Sequence, residues 1–114
     1  FDGSCSSGCT TTANVALNAG VNSATFSSRI MKSASKNSLM NYNVYTNSSR
    51  TIVFGDGTGA TGQGALSFVC NQSTASKCPT ITTSVTLYGA VPAGQYNLVP
   101  AADYADTLTV TVSY

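Results

Sequence analysis

From Thr107 to Tyr114 polar and apolar residues alternate without a break. Leu108, Val110, Val112 and Tyr114 fall on one face, and Thr107, Thr109, Thr111 and Ser113 on the other. A period of two, rich in β-branched residues on both faces, predicts a half-buried β-strand, running here from Tyr104 to Tyr114. No apolar segment follows to pair with it, so one of its edges is expected to be open to a strand from outside the chain.

The same alternation, in shorter pieces, marks the rest of the chain. Ala13, Val15 and Leu17 interleave with Asn14 and Asn18 and predict a strand that stops at Ala19-Gly20. Phe26, Ser28 and Ile30 predict another, and Arg29, Lys32 and Lys36 around it read as a solvated face or loop. Leu39 to Thr46 carries Met40, Tyr42 and Val44 on one side and Asn41 and Asn43 on the other. Asn47-Ser48-Ser49 then turns the chain into Thr51-Ile52-Val53-Phe54. Leu66 with Phe68 to Cys70 predicts the next strand, and Ile81 to Tyr88 another, with Val85 and Leu87 on one face. Gly89 to Gln95 breaks the pattern. Val91, Tyr96, Leu98 and Val99 make the following loop apolar; packing under a sheet is its ordinary fate, and an exposed binding surface is the functional alternative. Short strands with turn signals between them, and no helical period, predict an all-β antiparallel sandwich or Greek-key fold.

Gly55-Asp56-Gly57-Thr58-Gly59 invites a functional reading that its neighbours do not support. A phosphate loop needs a following Lys-Ser/Thr and a helix start, and a calcium loop needs several spaced carboxylates where Asp56 stands alone. A tight turn is the better reading, since Asp-Gly followed by Gly supplies positive φ angles.

Composition narrows the function more than the fold. The chain has 114 residues, enough for a single core. It carries five Lys plus Arg, four Asp, no Glu and no His, for a net charge of +1. Five scattered cations make no basic patch, which argues against nucleic acid as a partner. Solubility rests on 16 Ser, 16 Thr and nine Asn, a balance that opposes helices and suits secreted or surface-exposed β-proteins. No membrane span or signal peptide is evident, so an exported protein would be seen here in a mature or trimmed form.

The four cysteines form two local pairs, Cys5 with Cys9 and Cys70 with Cys78, and suit an oxidising compartment. Four cysteines allow three connectivities. Local pairing is preferred because each pair brackets a turn-like run, while a zinc site is disfavoured by spacings of three and seven residues and the lack of His.

Catalytic chemistry is poorly provided for. Without His, a Ser or Cys nucleophile lacks its usual base. Without Glu, paired carboxylates reduce to Asp103 and Asp106, which read as turn caps beside a strand. No Trp offers a stacking platform for sugars, although six Tyr are present. The sequons at Asn47 and Asn71 matter only in a eukaryotic secretory pathway. The chain is not expected to be an enzyme, and no cofactor or metal is expected.

Three stretches, in this order, resemble the spore coat protein U domain, the fold of subunits of archaic chaperone–usher pili. The first is Asn41-Tyr42-Asn43-Val44-Tyr45-Thr46 leading through Ser49-Arg50-Thr51 to Phe54-Gly55-Asp56-Gly57-Thr58-Gly59. The second is Tyr88-Gly89-Ala90-Val91-Pro92-Ala93-Gly94-Gln95, and the third runs from Tyr104 to Val112. Cys5 followed by Ala13 to Gly20 also looks like the middle part of that domain. Family members normally carry an N-terminal segment and one or two further strands before the region that begins at Phe1. Cys9 and the Cys70 and Cys78 pair are not expected of every member of that family.

The resemblance implies an immunoglobulin-like sandwich lacking one strand beside the C-terminal one. It further implies that a periplasmic chaperone fills the gap first, and that the N-terminal extension of the next subunit replaces it at an outer-membrane usher. Leu108, Val110, Val112 and Tyr114 would line that groove. Partners would be copies of the same or related subunits, and the destination a bacterial surface fibre serving adhesion and biofilm formation. A fibre-tip adhesin acting through the loop of Val91, Tyr96, Leu98 and Val99, and a spore or cyst coat protein, are the alternatives.

Overall fold

Over residues 9–70 and 82–114, which the computed structural model describes, every regular element is a β-strand. In chain order these are β1 (Cys9–Leu17), β2 (Arg29–Ser33), β3 (Ser38–Tyr45), β4 (Gly64–Cys70), β5 (Tyr88–Ala90), β6 (Tyr104–Ala105) and β7 (Val110–Ser113). They pair antiparallel into two sheets, three strands ordered β4-β1-β7 and four ordered β5-β3-β2-β6. The all-β sandwich predicted from the alternating pattern is the observed architecture.

The core lies where the sheets face each other. Val15 and Leu17 of β1 meet Tyr42 and Val44 of β3, and Met31, Leu66, Val85 and Leu108 pack around them. Phe54, fully buried, plugs the space between the sheets. The backbone of Phe54 and Gly55 reaches both sheets: Phe54 N–H donates to Val44 O on β3 at 2.9 Å, and Leu17 N–H of β1 donates to Gly55 O at 3.0 Å. Gly64 is required by this packing, because a Cβ there would stand 2.8 Å from both the Phe54 ring and Val85. The Gly55 to Gly59 run is a turn, as its composition predicts. Asp56 Oδ1 accepts from Thr58 N–H at 2.9 Å and Thr58 O accepts from Thr61 N–H at 3.0 Å.

Three sequence expectations need correction. Arg29 is not on a solvated face; it is completely buried, whereas Lys32 and Lys36 are exposed. The inward face of β2 is Arg29, Met31 and Ser33, the opposite phase to Phe26, Ser28 and Ile30. The reason is chemical: three backbone or amide oxygens converge on Arg29 and only a guanidinium fork can serve them together. Second, Thr82 to Leu87 forms no strand, and β5 lies instead at Tyr88–Ala90, where glycine had suggested a break. Ile81 lies outside the described residues. Val85 reaches the core as a loop residue, while Leu87 is half exposed.

Third, Tyr104 to Tyr114 is not one strand. Its first part, β6, pairs with β2 through Lys32↔Ala105 and Ser33↔Tyr104, and its last part, β7, pairs with β1 in the other sheet. The chain passes from one sheet to the other between Ala105 and Val110. Alternation survives the crossing, so periodicity alone cannot reveal it.

Candidate functional site

β7 occupies an outer position of the three-stranded sheet, with β1 on one side and no described strand on the other. Its register on β1 is Leu17↔Val110, Ala16↔Thr111, Val15↔Val112 and Asn14↔Ser113. Directly opposed residues in an antiparallel pair share a face. Val110 and Val112 therefore stand on the same side as Leu17 and Val15, which is the core side. Leu17 and Val15 are 2% and 4% exposed, yet Val110 and Val112 are 57% and 47% exposed. These core-facing valines stand half bare beside an edge that no described strand covers. Covering them fully would contribute about 1 kcal/mol each, half the value of burying a valine from full exposure. Leu108 is packed against the core, and Tyr114 is almost wholly exposed.

The base of β7 is tightly held. Asn18, just past β1, donates its N–H to Thr109 O at 3.1 Å and accepts from Thr109 N–H through Oδ1 at 2.9 Å. Asp106 is the other fixing point. Its Oδ1 accepts from Val21 N–H at 3.1 Å, Asn22 Nδ2 at 3.2 Å and Thr107 N–H at 2.9 Å, and its Oδ2 accepts the Tyr42 hydroxyl at 2.6 Å. Gly20, at φ +91°, is obligatory beside it, since a Cβ there would fall on the Asp106 carboxylate. Burial, then the hydrogen bond and negative charge of Asp106, push the Tyr42 phenol well above its usual pKa. It is a firm donor at any ordinary pH.

Behind this, Arg29 ties the sheets together. Nε and Nη2 donate to Asn18 O at 3.1 and 2.7 Å, Nη2 to Phe54 O at 2.6 Å, and Nη1 to Asn43 Oδ1 at 2.8 Å. Burial lowers its pKa, opposed by the nearby Tyr42 and Asp106, and the guanidinium stays charged. Neither Arg29 nor Asp106 stood out in the sequence as an organising residue. The signal was present only in Asp106, whose place before an alternating run suggested a cap.

The apolar loop after β5 lies on the other sheet. Val91, Tyr96 and Val99 are 53%, 94% and 42% exposed, with Leu98 partly covered. Tyr96, Leu98 and Val99 border an open groove beside Leu39 and Asn41 of β3. Gln95 pins the loop to that strand: its Oε1 accepts from Asn41 N–H at 2.7 Å and its Nε2 donates to Asn41 O at 3.0 Å. The side-chain amide thus stands in for a ladder partner and covers β3's edge at this point.

Of the cysteines, Cys5 and Cys78 lie outside the described residues. Cys9 and Cys70 are Cα partners across the β1–β4 ladder. Among the described residues no three potential metal ligands cluster, and no helix is long and apolar enough to cross a membrane.

The family model described as Spore Coat Protein U domain matches residues 2–111, nearly the whole chain. No curated protein matches it.

Proposed function

The chain belongs to the Spore Coat Protein U domain family, and from that premise we propose that it is a structural subunit of a secreted surface fibre, joined to its neighbours by donor-strand complementation. The observation that carries this reading is the edge strand β7, whose core-facing Val110 and Val112 are about half exposed while their cross-strand partners are buried. An extended segment laid along β7 would pair with the outward backbone groups that no described strand takes. Apolar side chains at every second position of that segment would cover Val110, Val112 and Tyr114 and set the register. A periplasmic chaperone would occupy the groove first and the N-terminal extension of a neighbouring subunit would then replace it at an outer-membrane usher. The working place is the bacterial cell surface, where such fibres serve adhesion and biofilm formation.

Electrophoresis of native material in SDS, unboiled and boiled, tests the proposal. Donor-strand polymers are expected to give a ladder that collapses on boiling. Val110→Asp should abolish the ladder, because an unpaired carboxylate would then face the groove. A single monomer band in both lanes for the parent protein, or a normal ladder for Val110→Asp, would count against it.

The exposed loop of Val91, Tyr96 and Val99 favours a second reading, a surface-binding module at a fibre tip. It is distinguished by retention on an apolar surface that is lost when Tyr96 and Val99 are replaced by Ser without any change in the ladder.

A further inference from the structure

We infer that Asp106 is the positioning residue that aims β7 as an acceptor strand. This rests on the donor-strand reading and deepens it. β7 is short, Val110–Ser113, and among the described residues it pairs with β1 alone. A strand held by one neighbour takes its direction from whatever fixes its base, and that base is the crossing from β6 to β7. Asp106 is the first residue of the crossing, directly after Ala105.

Each oxygen of its carboxylate serves a different part of the sandwich. Oδ1 takes Val21 N–H and Asn22 Nδ2, from the segment that leaves the end of β1, and also the N–H of Thr107. Oδ2 takes the hydroxyl of Tyr42, on β3 of the opposite sheet. Asn22 Nδ2 extends the link, donating also to Ile30 O of β2 and Ala105 O of β6, at 3.2 Å each. One carboxylate therefore fixes the start of β7 relative to its own partner strand and to the facing sheet at once. An amide at this position could keep the three contacts to Oδ1 only by reversing the fourth, its nitrogen donating to the Tyr42 hydroxyl oxygen, and all four would lose the strengthening that the negative charge gives them. The fixed end of β7 is then the crossing, from which the ladder to β1 runs on through Val110 to Ser113.

A residue that merely contributed stability would, when changed, loosen the whole sandwich. A positioning residue should loosen β7 selectively. The experiment compares Asp106→Asn and Tyr42→Phe with Val44→Ala, a core truncation that removes none of the carboxylate's hydrogen bonds, by amide hydrogen exchange resolved to segments. The SDS-resistant ladder is read in parallel. For Asp106→Asn we expect protection at Val110–Ser113 to fall by about tenfold or more, as suits the loss of a charge-assisted hydrogen bond. Protection across the β2–β3 pairing should stay near the parent value, and the ladder should weaken. Tyr42→Phe should do the same to a smaller extent, whereas Val44→Ala should lower both regions together. Unchanged exchange at β7 in Asp106→Asn, or a uniform loss like that of Val44→Ala, would overturn the inference. If the parent protein forms no ladder while Asp106→Asn still frees β7 selectively, the donor-strand reading fails and the positioning role stands.

Discussion

Replacing Arg29 with Met is the sharpest test of how this sandwich is held together. The methionine nearly fills the space of the arginine stem but brings no donors. It would strand Asn18 O and Phe54 O and leave Asn43 Oδ1 with the Val44 N–H alone, where the guanidinium now serves all three at 2.6–3.1 Å. Hydrogen bonds to a charged group contribute about 1.5–3 kcal/mol each but do not add simply; breaking a buried charged network costs about 3–5 kcal/mol. The upper part of that range suits a group with no exposed surface whose acceptors come from three separate segments. The cation stacked near Phe26, 5.7 Å from the ring centroid, adds at most a further fraction. In a chain of this size the loss corresponds to about 10–20 °C in Tm, a large part of the stability such a protein normally has. Urea unfolding followed by circular dichroism, with the slope compared between variants, reads it directly. Arg29→Lys keeps the charge but cannot place donors on all three acceptors, and should recover less than half of the loss. An Arg29→Met protein within about 1 kcal/mol of the parent would refute the reasoning, since buried oxygens cannot be left unpaired so cheaply.

Two further outcomes follow from the same structure. Gln95→Ala removes the amide that caps the β3 edge at Asn41. Stability should fall by about 1 kcal/mol or less, as for an exposed hydrogen bond, while sedimentation should show new concentration-dependent association through the uncovered edge. Asp103 is held below the usual carboxylate range by the Ser33 hydroxyl, then by the Ser35 N–H and hydroxyl. Its native pKa is depressed, so its contribution is complete above its unfolded pKa of about 3.9 and disappears as pH falls through the lower native value. Urea midpoints measured between about pH 6 and about pH 2 should fall at the acid end, and fall less in Asp103→Asn.

Much of the fold was legible because alternation carries it. Val15 and Leu17 of β1, Tyr42 and Val44 of β3 and Leu66 of β4 were all placed by period-two reading, and they form or border the core. Arg29 was not legible. A cation with two lysines nearby looks like solvated surface, and its acceptors are carbonyl and amide oxygens at positions 18, 43 and 54, which no local pattern links to it. The crossing at Asp106 was hidden for another reason. A strand that changes sheets keeps its side-chain period, and only the change of partner, from β2 to β1, reveals the break. Thr82 to Leu87 shows the converse, because it alternates without forming part of a ladder. The candidate edge itself was visible as Leu108, Val110 and Val112. Its unequal burial was not, since exposure at an edge depends on what lies beside the strand and not on its own residues.

The most direct test of the account is amide hydrogen exchange of β7 in the monomer and in the assembled fibre. In the monomer the amides of Val110–Ser113 that point away from β1 should exchange nearly as fast as an unpaired chain. In the fibre those same amides should become protected by about a hundredfold or more, as an added strand takes up their hydrogen bonds. Equal, fast exchange of these amides in both states would contradict the claim that subunits join along β7.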